Sequence, residues 1–486
     1  MAQPNYPTKP VETDGMPPGI PFIIGNEAAE RFCFYGMRTI LVVFMTRYLL
    51  NGQHELATMK PEEAKGYYHT FVSAAYFLPF FGAILADAFW GKFRTILWLS
   101  LVYCIGCFAL AGSPTRFGLL AGLTLIAIGS GGIKPCVSAN VGDQFGERNK
   151  HLLPKAFSWF YFSINFGSFF STMLTPFLLE PNSQAVKDFL AANPGWGDAF
   201  KTIDPNTILA FIESRWFPAV TAHHGPQLAF GLPGVFMMLA TVMFWLGRHK
   251  FVRVPPSGMD FIRETFSAPS LQLIKALVPI FLAEAVFWSL WDQTGSAWVL
   301  QAEKMNLHFL FDWKASQVQA VNPLFILALI PVCTYVIYPG IHRLFPLTPL
   351  RKIGLGMFLT VGAFLLTAWI ESQITGGGKP NIGWQFVSFI IISLAEIMVS
   401  ITFLEFAYTQ APKRLKSLIM SLNLMSISLG NAVTAVINFF IQNKDGTSKL
   451  PGATYYLFFA GMMLLTSVAF IFVAGRYRER KPLAEG

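Results

Sequence analysis

About twelve separate stretches of this chain run close to 20 residues each with few polar interruptions. That repetition restricts the fold more than any other feature. At 1.5 Å of rise per residue, a helix of that length matches the hydrocarbon thickness of a bilayer. The stretches lie near 20–48, 66–86, 95–113, 117–141, 153–179, 227–247, 271–301, 317–340, 350–371, 383–408, 417–442 and 453–475. Apolar and polar residues do not alternate within them, which argues against a membrane barrel. Hydrophobic residues make up 53% of the chain and charged ones 13%, where ordinary globular domains carry roughly 25% charged. No water-facing fold could bury so much apolar surface. Disordered, collagen-like and disulfide-rich secreted classes are excluded on the same grounds. The sequence predicts an all-α integral membrane protein.

The net charge of +9 would suit nucleic acid, but its placement says otherwise. If the N-terminus is cytoplasmic, the basic residues Lys92, Arg94, Arg148, Lys150, Lys155, Arg248, Lys250, Arg253, Arg343, Arg351, Lys352, Lys413, Arg414 and Lys416 and the tail Arg476–Lys481 share its side. This is the positive-inside pattern. It predicts twelve transmembrane helices with both termini cytoplasmic and no nucleic-acid partner. The polar stretch 248–269 reads as a cytoplasmic linker between two six-helix bundles, residues 1–247 and 270–486. The segment 180–226 is an outer loop with room for a small amphipathic helix. Residues 1–17 lack the features of a cleavable signal. No N-x-S/T sequon occurs, which favours a bacterial inner membrane over a glycosylated cell surface. Cys33, Cys104, Cys107, Cys136 and Cys333 all fall inside apolar spans, where thiols pack as small hydrophobes. Pro79, the run Gly129–Pro135, Pro279, Pro323 and Pro331 interrupt spans. They suit helices that bend during a working cycle, or they reflect the general tolerance of membrane helices for Gly and Pro.

Ionisable residues within spans are the informative ones, because each costs at least about 2.5–3.5 kcal/mol at the bilayer centre. Span one holds Glu27, Glu30, Arg31, Arg38 and Arg47. At 100° per residue, Glu27, Arg31, Phe34 and Arg38 lie within about 60° of one another, flanked by Glu30 and Tyr35. Such a face must line an aqueous cavity. Lys134 in span four poses the same demand, met by substrate or by a salt bridge to a first-span Glu. His69 in span two is a proton-carrier candidate or a satisfied core histidine. Glu284 and Asp292 share span seven, and Glu396 sits in the middle of span ten. The N-terminal half thus concentrates cations and the C-terminal half isolated carboxylates. A cavity between the halves would suit a zwitterion about one peptide long. No HExxH, GxSxG or metal-ligand cluster is present, so neither an enzyme nor a bound cofactor is expected.

Glu27-Ala-Ala-Glu30-Arg31-Phe32-Cys-Phe34-Tyr35-Gly36 is similar to E-x-x-E-R-F-x-Y-Y-G, the first-span motif of the proton-coupled oligopeptide transporters of the major facilitator superfamily, a family the chain resembles. Gly82–Thr95 resembles the superfamily loop motif, with Asp87, Gly91 and Lys92 in place, and Phe160–Ser168 resembles F-Y-x-x-I-N-x-G-S. Phe287-Trp288, Asp292-Gln293, Asn322 and Glu396 match by context. The resemblance implies the major facilitator fold and proton-driven import of di- and tripeptides by alternating access in a multi-pass monomer of the cell membrane. Arg31, Arg38 and Lys134 would hold the peptide carboxylate. Asn165, Asn322 and Glu396 would meet its N-terminus and backbone, and Tyr35, Tyr68, Tyr161 and Trp288 would form side-chain pockets. Glu27, Glu30, Arg31, His69, Asp292 and Glu396 would couple protons, and Asp87, Gly91 and Lys92 would serve gating. Phe34 departs from the motif's first Tyr, Asn423 stands where many members have Trp, and Glu284 has no assigned counterpart. The alternative is proton-coupled transport of another anionic or amphoteric solute, such as nitrate or a metabolite conjugate.

Overall fold

In lipid no water can satisfy backbone N–H and C=O groups, so apolar runs of this length close their hydrogen bonds internally as helices. The computed structural model describes residues 6–10, 12–53, 55–180, 225–256, 258, 268–404, 406 and 416–477. These residues are almost entirely helical, with one small antiparallel pair, β1 (His308–Phe309) and β2 (Phe311–Asp312). The long helices are α1 (Ile20–Arg47), α2 (Pro61–Ile84, continued by a π-helical turn Leu85–Trp90), α3 (Lys92–Gly112), α4 (Arg116–Asp143), α5 (Leu153–Leu179) and α6 (Gly225–Leu246). There follow α7 (Ala268–Trp291), α8 (Val321–Val332, continued through Cys333–Ile337 and Tyr338–Leu344), α9 (Pro349–Thr375), α10 (Gly383–Glu396, continued by a π-helical turn Ile397–Ile401), α11 (Lys416–Ile441) and α12 (Ala453–Arg476). Eleven of them are long and apolar enough to cross a membrane. The twelfth, α1, has 28 residues and so a length of about 42 Å; its charges set it apart. The amphipathic helix expected within 180–226, residues 259–267 of the linker and the tail beyond Tyr477 lie outside the described residues.

The chain forms two compact units. The first comprises Met1–Ala64, Phe81–Ser257 and Leu307–Ala320. In it α1 packs on α5 and α6, and α3 packs on α4 and α6. Local signals start and stop its helices. Thr115 Oγ1 caps α4 by accepting from Gly118 N at 3.2 Å, and Pro61 opens α2, where no N–H partner is needed. Gly91 joins α2 to α3 at φ +77°, a conformation that a residue with a Cβ rarely adopts. The Gly129–Pro135 run does not break α4, which continues through it. Its glycines serve close packing: a Cβ on Gly82 of α2 would meet Gly132 Cα at 2.5 Å and Gly131 O at 2.8 Å, and one on Gly129 would meet Tyr103 Cβ at 2.7 Å.

The second unit comprises Lys65–Phe80, Gly258–Asn306 and Val321–Gly486. α9 packs on α12 and α10, and α7 packs on α11. The middle of α2 belongs here, and so a single cut at 248–269 does not describe the contact units. The reason is local chemistry: Ser73 Oγ lies 3.1 Å from Ser428 Oγ, and a Cβ on Gly66 would strike the Phe439 ring at 2.7 Å. The α7–α11 seam is built the same way. Ser289 Oγ lies 2.6 Å from Thr434 Oγ1, and a Cβ on Gly430 would collide with Ala285 O and approach Ser289 N to 2.8 Å.

Gly430→Ala should therefore destabilise the purified protein by about 1–3 kcal/mol through overpacking. Gly362→Ala, where a Cβ meets nothing within 4 Å, should be neutral or stabilise by up to about 1 kcal/mol. Thermal unfolding in detergent separates the two outcomes.

Candidate functional site

In the first unit the E-x-x-E-R spacing places two carboxyls around one guanidinium. Arg31 Nε donates to Glu27 Oε1 at 2.6 Å, one helical turn away, and lies 3.2 Å from Glu30 Oε2. Glu27 and Glu30 are buried, and Arg31 is 11% exposed. Glu27 Oε2 and both oxygens of Glu30 have no hydrogen-bond partner among the described residues, Glu30 meeting Arg31 as an ion pair only. Two acids sharing one cation leave room for one of them to be protonated.

Lys134 comes to the same place from α4. Its Nζ sits 3.6 Å from the centroid of the Phe34 ring, a cation–π contact that gains strength away from water. The Phe that departs from the motif's Tyr thus receives the α4 cation on its face. Phe34 and Tyr35 meet edge to face at 5.6 Å, and Arg38, one turn above Phe34, is 5% exposed. α5 can approach this cluster because Gly167 has no side chain: a Cβ there would collide with Ala28 O and reach Phe32 N at 3.0 Å and Arg31 Cβ at 3.3 Å. That gives the signature glycine a reason. On the same helix Tyr161 is 47% exposed, and Asn165 Nδ2 donates to Tyr161 O at 2.9 Å. Of the loop-motif residues, Lys92 Nζ pairs with Asp143 Oδ2 at 2.7 Å, and Asp87 lies in the π-helical turn of α2.

In the second unit neutral donors meet Glu396. Glu396 Oε2 accepts from Trp291 Nε1 at 2.8 Å and Asn322 Nδ2 at 2.9 Å. Asn322 also donates to Ser393 Oγ at 3.0 Å. Trp288 stands edge-on to Trp291 at 5.4 Å. Glu396 is the last residue before the π-helical turn of α10, a distortion often found at functional positions.

His69 is buried, with Nδ1 2.7 Å from Asn431 Oδ1 and Nε2 2.8 Å from Ser296 Oγ. Asn431 Nδ2 donates to Asp292 Oδ2 at 2.5 Å and to Ile427 O at 3.0 Å, which orients the amide and makes His69 Nδ1 the donor. His69, Asn431 and Asp292 therefore form one line. Buried Tyr68 meets the His69 ring edge to face at 5.1 Å.

Sequence reasoning brought Glu396 together with Asn322, and the Arg31 cluster with Lys134. It missed Trp291, Ser393, Ser296 and Asn431, all neutral residues that carry no cost signal in a span. Asn431 was the most legible of these, as an amide in the middle of an apolar helix. Removing Arg31 leaves two buried carboxyls without their cation, so Arg31→Ala should lower stability by about 3–5 kcal/mol. Adding Glu27→Gln and Glu30→Gln to that variant should regain most of the loss, as measured by thermal unfolding in detergent.

Comparisons with known proteins agree with this architecture. The family model described as PTR2, POT family, matches residues 93–275 and 270–457. The chain is 36% identical over 399 residues to Peptide transporter family 1 of Drosophila melanogaster, covering 74% of this chain and 48% of that protein. It is 33% identical over 447 residues to Solute carrier family 15 member 2 of Homo sapiens, covering 82% and 55%. The chain thus spans about half the length of the curated relatives it matches. A crystal structure of an auto-inhibited POT family peptide transporter superposes with TM-score 0.79 at 32% identity, covering 97% of this chain and 99% of that one. The all-helical membrane fold expected from the sequence is the fold of that transporter, and this chain belongs to the POT family.

Proposed function

We propose that the chain is a proton-coupled symporter that imports di- and tripeptides across the cell membrane by alternating access, acting as a carrier rather than a catalyst. The observation that carries this reading is the Glu27–Arg31–Glu30 cluster. One guanidinium is shared by two buried carboxyls, each with an oxygen lacking a donor. Such a cluster can take a proton without creating a new buried charge, and in doing so it releases the cation for an incoming anion. Lys134 and Arg38 stand beside it and suit a peptide carboxylate. Glu396, which accepts from the indole of Trp291 and the amide of Asn322, suits a peptide ammonium. The aromatic side chains Tyr35, Tyr161 and Trp288 suit variable side chains, because flat faces bind many shapes. The relatives named as peptide transporters favour the same substrate class. An inner-membrane setting and a monomeric carrier complete the proposal.

The test is uptake by proteoliposomes. An inward proton gradient should drive accumulation of di-alanine, each proton contributing about 2.3 kcal/mol per 100 mV. Di-alanine that only equilibrates would count against proton coupling. Free dipeptide should compete for uptake while its N-acetylated form does not; equal competition, or competition by nitrate, would point to an anion carrier. Glu396→Gln should impair gradient-driven uptake more than peptide-for-peptide exchange, and equal loss of both would remove Glu396 from coupling.

A further inference from the structure

Glu284 is an acid inside a span for which the sequence offered no role. It lies on α7 and is 0% exposed. Its Oε1 accepts from Trp288 Nε1 at 3.2 Å. Its Oε2 lies 2.6 Å from Ser426 Oγ on α11. Among the described residues no cation faces it. On α7, Lys275 lies nine residues before it and Asp292 eight residues after it, each several turns away. On α11, residues 422–441 contain no ionisable side chain. From α12, the titratable side chains are Tyr455, Tyr456 and the terminal Arg476; Tyr455 bonds Asn438 Oδ1 and Tyr456 bonds Ala297 O. From α9 they are Arg351 and Lys352 at one end and Glu371 near the other, and Glu371 is bonded to Gln301 and Lys304. From α2 the candidates are Lys65, which stacks on Tyr455 at 3.8 Å, and His69, which is bonded to Asn431 and Ser296.

The proton count at Ser426 decides what Glu284 is. Ser426 Oγ lies 2.7 Å from Asn423 O as well as 2.6 Å from Glu284 Oε2. A hydroxyl carries one proton and can donate once. Back-bonding to a carbonyl three or four residues earlier is the ordinary use of a helical serine's proton. Both short distances are satisfied together when Glu284 supplies the other proton: Glu284 Oε2–H donates to Ser426 Oγ, and Ser426 donates to Asn423 O. Trp288 then donates to the remaining carbonyl oxygen, and every polar atom of the carboxyl is used. An ionised Glu284 would instead be a buried charge with no cation, held by one indole N–H and a contested hydroxyl.

We propose that Glu284 is a further proton-binding residue of this transporter, protonated in the conformation seen and distinct from the acids of the Arg31 cluster and from Glu396. This rests on the symport reading and deepens it. Ser426 also lines a cavity of about 680 Å³ walled by Phe77, Val278, Leu282, Leu429 and Val436 among others. Ser426 is thus the residue that stands between Glu284 and that cavity. When α7 and α11 part at this level, water reaches Ser426, and the Glu284 O–H bond breaks in favour of that water, leaving the carboxylate hydrated. Re-closure of the seam requires the proton back. The indole of Trp288 links the event to Trp291, and Trp291 links it to Glu396. Loading of Glu284 therefore acts on the residues proposed to hold the peptide.

Two measurements test this. Infrared difference spectra of the purified protein, recorded in H2O and D2O, should contain a protonated-carboxyl C=O band that disappears in Glu284→Gln and survives in Glu396→Gln. In Ser426→Ala, which removes the acceptor of the carboxyl proton, the band should shift. In proteoliposomes, the number of protons moved per peptide, read from the potential that just stops uptake, should fall by one in Glu284→Gln. Persistence of the band in Glu284→Gln, or no shift in Ser426→Ala, overturns the assignment of the proton. An unchanged proton number in Glu284→Gln overturns its part in coupling. Absence of proton-driven peptide uptake by the unaltered protein would instead overturn the symport reading, while the infrared result would still report on Glu284.

Discussion

A guanidinium between two carboxyls inside a membrane-spanning helix imposes a condition that the rest of the first unit has to meet. Each charge would cost at least about 2.5–3.5 kcal/mol alone at the bilayer centre. Pairing Arg31 with Glu27 and Glu30 reduces that cost only if the three groups stay close and away from lipid. α1 is accordingly packed on α5 and α6, and Gly167 lets the α5 backbone come within contact of the Arg31 turn. Lys134 arrives from α4 onto the face of Phe34. The same arrangement underlies the proposed coupling, in which a proton added to either acid alters the hold on a nearby cation.

Several acids of the second unit are met by neutral groups. Glu396 is held by an indole and an amide, Glu284 by an indole and a hydroxyl, and Asp292 by the Asn431 amide that also meets His69. Neutral donors can remain in place whether the acid carries a proton or not. Trp288 and Trp291 stand between the Glu284 and Glu396 groups as stiff, flat links with one donor each. In the proposed cycle, proton occupancy at one acid acts on the other through these contacts.

Small residues supply the geometry for both arrangements. The glycines of the Gly129–Pro135 run could be read from sequence either as a hinge or as ordinary membrane-helix composition. In the structure α4 is continuous through them, and their missing side chains let α2 and α3 approach. Gly430 does the same between α11 and α7. Without helix packing driven by water, such close approach is a main source of cohesion between membrane helices.

Length, hydropathy and the cost of buried charge were enough to read from the sequence alone an all-helical membrane protein of twelve spans, because those constraints act within single segments. The Arg31 cluster was legible for the same reason: its members lie three and four residues apart on one helix, and helical periodicity places them together. Apart from Asn322, the partners of Glu396, Glu284 and His69 on other elements were not legible, since Trp291, Ser426, Asn431 and Ser296 are neutral and leave no trace in hydropathy. Which contact unit the middle of α2 joins was likewise decided by tertiary packing, through a few hydrogen bonds and one glycine contact that no local pattern encodes. Periodicity fixes which face a residue occupies; only the folded packing of helices decides what that face meets.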